Sequence, residues 1–274
     1  MLDSLTACHA ILGRMIGPDM EPVSVIERVE EHRWHWRPVQ PRIILLAESH
    51  VYTRPEELQH TLRPVPQLPR DLPRGFVRLV YCLGYGEDAL LDVPIATSRN
   101  SGTPQFWKLF YSCLYPVTRN EDFAPIQVAR TPLAERVTNK IAVLESLKAC
   151  GVWLVDASIA ALHIPGHAKP SPQLIERALH ASWDGYIHSV IAEATPQAIL
   201  CIGLGVARAL RSRLDRFGIP WAPVPQPNAR LSAADHFRIF GMYRRVCEVP
   251  EAVHTVRAAW GAAAVSPAVE ATGG

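Results

Sequence analysis

The chain has 274 residues, 48% of them hydrophobic, and a formal net charge of +2. That length carries one large domain with a buried core, or at most two small ones. The near balance of charge excludes an all-basic domain and a highly charged tail, so any contact with a polyanion has to come from a local basic surface.

Residues 1–39 read as helical, and Val23 to Trp36 mixes apolar and charged residues at helical spacing until Pro38 and Pro41 end the run. Ile43 to Leu46 is a short unbroken apolar run, the pattern of a strand buried on both faces. Phe76 to Leu83 is a second run of that kind, separated from the first by a Pro-rich surface excursion. Gln105 to Leu114 and Pro132 to Ala149 have helical periodicity, the latter stopped by Gly151. Val152 to Val155 is a third strand candidate, Pro172 to Glu193 one or two amphipathic helices, and Ala198 to Ile202 a fourth strand. Gly203 and Gly205 permit a tight turn into a further helix, and Pro220 to Val224 is a short fifth strand candidate.

This alternation predicts an α/β fold: one open, mainly parallel sheet of four to five strands with helices on both faces. The expected organisation is an N-terminal helical extension over 1–40, an α/β domain over 41–250 and a flexible, small-residue-rich tail over 251–274. None of the six cysteines forms a C-x-x-C pair, which argues against a zinc ribbon or a local iron–sulfur ligand run. Buried, reduced thiols are expected, with no metal or cofactor. No apolar run approaches the ~20 residues needed to span a bilayer, and the N-terminus, without a long apolar core and cleavage site, does not read as a good export signal. A soluble, cytoplasmic monomer with no membrane partner is the expectation.

Ligands of such folds bind beyond the carboxyl ends of the strands. The informative residues are therefore Ala47-Glu48-Ser49-His50, Asp156-Ala157-Ser158 and Gln226-Pro227-Asn228-Ala229-Arg230. These strand ends resemble the three active-site motifs of the uracil-DNA glycosylase superfamily. GVWLVDASIAAL at 151–162 is similar to its G-V-L-L-L-N-x-x-L strand, whose terminal Asn reads a flipped base. SWDGYIHSVI at 182–191 and AILCIGLGVARAL at 198–210 resemble the helix and the strand–helix that follow, in matching order. ILLAESHVY at 44–52 occupies the place of the water-activating loop, VPQPNARLS at 224–232 that of the minor-groove loop, and SGTPQFWKLF at 101–110 resembles an N-x-F-W-K segment of the mismatch-specific branch. The resemblance spans roughly residues 41–245.

It implies an enzyme that flips a base out of single- or double-stranded DNA and hydrolyses its N-glycosidic bond, in genome repair or in defence against phage with modified DNA. Glu48 matches the catalytic position of the Glu-bearing branch, where a carboxylate steadies the sugar cation and orients water. The Asp-bearing branch would put its acid at Ser49. Gln226 stands where the family carries a His that donates to the leaving base. His50, His163 and His167 are candidate replacements, and Glu56 and Glu57 are back-up acids of the kind found solvated at a helix start. Asp156 stands in place of the base-reading Asn. An ionised carboxylate only accepts, which suits the exocyclic amine of cytosine or adenine rather than uracil. A modified cytosine is therefore the expected base. Tyr52, Phe106 and Trp107 are the stacking candidates. Ser49, His50, Asn228, Arg230, Leu231, Lys169 and Ser171 are the expected DNA contacts, with Arg230 or Leu231 filling the vacated stack and Arg119 a further phosphate ligand.

Other readings stay open. Ser49-His50 invites a serine hydrolase, but the flanking glycines of G-x-S-x-G are missing. Gly203-x-Gly205 suggests dinucleotide binding but lacks the third glycine. A uracil- or mismatch-excising enzyme and an inactive homologue that binds DNA without cutting it are the remaining alternatives.

Overall fold

The computed structural model describes residues 2–93 and 103–261. Its centre is a sheet of four parallel strands: β1 (Ile43–Ala47), β2 (Val152–Asp156), β3 (Ala198–Ile202) and β4 (Trp221–Val224), in the order β2-β1-β3-β4. Every residue of all four is buried. Covered on both faces, such strands need continuous rather than alternating apolar residues, and that is why they are legible as short runs. Around the sheet lie nine helices among the described residues: α1 (Leu2–Ile16), α2 (Val23–His35), α3 (Thr103–Leu114), α4 (Leu133–Ala149), α5 (Pro172–Ser182), α6 (His188–Ala194), α7 (Leu204–Phe217), α8 (Ala233–Glu248) and α9 (Val253–Trp260). A π-helical turn, Trp183–Ile187, joins α5 to α6. None of these helices is long and apolar enough to cross a membrane.

Register decides what meets at the strand ends. Ala47 pairs with Asp156, and the ladder continues past both strands through Ala157 N–H to Ala47 O (2.7 Å) and Ser158 N–H to Glu48 O (2.9 Å). The loops after β1 and β2 therefore leave the sheet side by side. At the other end, Gly151 stops α4 with φ +77°, and its carbonyl accepts from Arg42 N–H (2.6 Å) and Ile43 N–H (3.0 Å). A Cβ there would lie 2.8 Å from Gln40 O, so only glycine allows the helix stop to begin the β1–β2 pairing.

Four expectations change. Phe76 to Leu83 is not a strand: it is a buried chain of turns, with Cys82 N–H on Leu79 O and Tyr85 N–H on Cys82 O. Its Tyr81 hydroxyl accepts from Leu154 N–H at 2.8 Å, on the outer edge of β2. The run is apolar because it covers a sheet edge, which a sequence pattern cannot tell from joining one. The tail does not begin at residue 251, since α9 buries Val253 and Val256 and packs on β4; the part of the expected tail beyond residue 261 lies outside the described residues, as do Ser101 and Gly102 of the 101–110 segment. The N-terminal helices are core elements rather than an appendage, with α1 against α5 and α2 burying Val25, Ile26 and Val29. Helix α8, absent from the reading of the sequence, packs against α3. All six cysteines are free thiols, and all but Cys150 are buried.

Candidate functional site

The first loop is held from beneath by an acid of the α1–α2 connection. Glu21, only 1% exposed, accepts from Thr53 N–H (2.5 Å), from Ala161 N–H (3.0 Å) and from His50 Nε2 (2.8 Å). One carboxylate thus ties the loop after β1 to the loop after β2. Because a carboxylate only accepts, Nε2 of His50 carries the proton. The other ring nitrogen, Nδ1, is buried without a hydrogen-bond partner, 3.9 Å from Asp156 Oδ2.

Asp156 ends β2 and is 2% exposed. Arg33 of α2 donates from Nη2 to Asp156 Oδ2 at 2.7 Å and forms an ion pair with Glu30 one turn before it. Glu30 Oε2 in turn accepts from Tyr186 Oη (3.0 Å) and Trp34 Nε1 (3.1 Å). A buried carboxylate is tolerated only when it is paired, and the guanidinium supplies that pairing.

Ser49, His50, Leu154 and Asp156 share one small pocket with Arg78, Tyr85 and Phe106, with a cavity volume of about 40 Å³. Arg78 reaches it from the turn-rich segment, gripped by Glu57 through two hydrogen bonds (2.9 and 2.6 Å). Burial works against the Glu57 charge, but Arg78 and the Arg54 N–H outweigh it and hold the carboxyl below the usual range. Next to Ser49 in the chain, Glu48 is half-buried, its Oε1 3.0 Å from Nε2 of the exposed His163. That bond lifts the His163 pKa above its ordinary value, against partial burial.

The space beyond β3 is filled. Gly203 has φ +106°, and a Cβ there would meet the Gln226 side chain at 3.1 Å, so the amide lies over the glycine. A second groove, of about 310 Å³, opens between α3, the loop after β4 and the first turns of α8. Gln105 and Lys108 line it from α3, while Phe106, on another side of the same helix, lines the first pocket.

No family model, curated protein or solved structure matches this chain. Of the residues expected from sequence, Ser49, His50, Phe106 and Asp156 come together in one pocket, and Glu48 stands next to it in the chain. The others lie elsewhere. Trp107 is core, 2% exposed, edge-on to Phe110 and beneath the Lys140 ammonium. Tyr52 donates its hydroxyl to Asp19 O (3.2 Å), which turns it toward the α1–α2 connection. Gln226 is occupied with Gly203 rather than lining the pocket. Ser171 caps α5 by accepting from Leu174 N–H. Leu231 packs partly on the core, whereas Asn228 and Arg230 are exposed in the turn before it. Lys169 is exposed, Arg119 pairs with Asp122, and His167 lies 3.5 Å from Asp19. Glu57 is not a solvated helix-start acid but a buried partner of Arg78. Ser49 Oγ accepts from Leu162 N–H (3.4 Å), and no His hydrogen-bonds it among the described residues, which removes the support for a serine nucleophile.

Sequence reading missed Glu21, Arg33, Arg78 and Tyr85. Arg78 had a signal: it is the one charge in the apolar run FVRLVYCL. Arg33 and Glu21 had none, because their partners are remote in sequence.

Proposed function

We propose that this chain is a DNA base glycosylase of the uracil-DNA glycosylase type, acting on a base that carries an exocyclic amine. The observation that carries the reading is the shared lining of one small pocket. Four segments distant in sequence supply it: Ser49 and His50 after β1, Arg78 and Tyr85 of the turn-rich segment, Asp156 at the end of β2, and Phe106 of α3. A flipped base needs these parts, an aromatic face for the ring and a polar group for its edge, in a space that excludes larger ligands. Asp156, anchored by Arg33, is an acceptor and suits the amine of cytosine or adenine better than the carbonyl of uracil.

In the reaction the C1′–N bond breaks and its electron pair leaves with the base. Water adds to C1′ and gives its proton to Glu48, while the base takes a proton from solvent. Arg78 contributes positive charge to the pocket where the departing base gathers negative charge. A modified cytosine fits the acceptor at Asp156, and its added group would be what separates it from the ordinary base; attack on phage DNA or repair of the cell's own would follow from which genome carries it.

The test is direct. The protein is incubated with single strands and duplexes carrying uracil, hypoxanthine, hydroxymethylcytosine or glucosylated hydroxymethylcytosine, and abasic sites are read by alkaline cleavage. Abasic sites at a cytosine-type base, and fewer at uracil, are expected. Binding without abasic sites on any of these substrates overturns the enzymatic reading, and preference for uracil overturns the role given to Asp156.

A further inference from the structure

The second groove has a lining of its own chemistry. Its ionisable residues are Lys108 and His236, and no carboxylate lines it. Lys108 forms no ion pair among the described residues; its ammonium lies 5.3 Å from the Phe123 ring centre, and partial burial lowers its pKa. A half-buried cation without a counter-ion attracts an anion from outside. Ala233 brings the first turn of the 16-residue α8 to the same groove; Ser232 Oγ already caps the Asp235 N–H there, and the first-turn N–H groups that this cap leaves add to that attraction. Amides of Gln105, Asn120 and Asn228 supply both donors and acceptors, and Phe237 supplies an aromatic surface. Cation, helix start, amides and aromatic ring together match a phosphate with a nucleoside attached.

We propose that this groove holds one unpaired nucleotide of a nucleic-acid strand, its phosphate on Lys108 and the start of α8 and its base against Phe237. The proposal rests on the reading of the neighbouring pocket as a base site and extends it to strand preference. Consecutive residues of α3, Gln105 and Phe106, line the groove and the pocket, so one helix separates the two. A base laid against an aromatic ring cannot also be paired and stacked in a duplex, so occupying both sites requires single-stranded or locally melted DNA. A sugar–phosphate contact alone would make no such demand.

Fluorescence anisotropy with an unmodified, end-labelled single strand and the same sequence as a duplex tests this without any excision. The single strand should bind at least about tenfold more tightly than the duplex, and Phe237→Leu, which keeps an apolar side chain, should lose about tenfold on the single strand alone. Lys108→Ala should lower the slope of log affinity against log salt on the single strand by about 0.7, the share of a single neutralised phosphate. Equal affinity for both forms, or an unchanged salt slope for Lys108→Ala, overturns the proposal; the Lys108 arm stands even if Phe237→Leu fails to fold. An oligonucleotide that binds but is never excised would sink the glycosylase reading and leave the groove intact. Excision with no strand preference would do the reverse.

Discussion

At the scale of the residue, the candidate catalyst depends on its neighbour. Glu48 is held by His163, and the bond that raises the His163 pKa is strongest while the imidazole is charged. The folded-state pKa lies above the ordinary 6.5, so this contribution is fully present below about 6.5 and is lost as pH rises through the raised value. Above that point Glu48 is freer to meet water. Excision should therefore rise with pH through the His163 midpoint, and His163→Ala should flatten that limb. An NMR titration should place the His163 midpoint above 6.5 in the native chain and return it toward 6.5 in Glu48→Gln. The same Glu48→Gln change should cut the excision rate by about a hundredfold or more while leaving DNA binding intact. A rate within a few-fold of native would remove Glu48 from the mechanism.

At the scale of the element, α2 is fastened to the sheet by charge as much as by apolar packing. Arg33 is 1% exposed, bonded to Asp156, and its own carbonyl accepts from Trp153 Nε1 at 3.0 Å. Removing one member of a buried pair leaves the other charged and alone, a cost of about 3–5 kcal/mol. Arg33→Met should therefore lower the urea midpoint substantially, and Arg33→Met with Asp156→Asn should recover part of the loss, because one of the two stranded carboxylates, Asp156 and Glu30, is gone. Equal destabilisation in the single and double variants would show that Arg33 matters for its packing instead. The strands were legible because burial on both faces writes a continuous apolar run. The Arg33–Asp156 link was not, because 123 residues separate its partners and neither carries a local mark. Helix α8 did carry one: Ser232 and Asp235 form a reciprocal cap, Oγ accepting from Asp235 N–H (3.1 Å) and donating to Oδ2 (2.8 Å).

At the scale of the whole molecule, the N-terminal helices brace the pocket from outside as well as filling the core. The sequence places the strand-end residues, but Glu21 and Arg33 hold two of those ends, and both come from the region before the sheet begins. This arrangement makes the fold acid-sensitive at a particular residue. His32, 0% exposed on α2, donates Nε2–H to Gly75 O at 2.7 Å, and burial pushes its pKa down to about 4 despite that bond. The unfolded chain binds a proton near the ordinary 6.5, whereas the folded chain does not until about 4. Stability from this group is thus present above 6.5 and drains away as pH falls toward 4, by a total on the order of 3 kcal/mol. Half-buried His35 adds a smaller loss of the same sign. Urea unfolding at pH 7 and pH 4.5 should show the decline, and His32→Gln, which can still donate to Gly75 O but does not titrate, should show much less of it. If the two proteins lose stability in parallel, the acid sensitivity belongs to other groups and α2 is not held by a neutral His32.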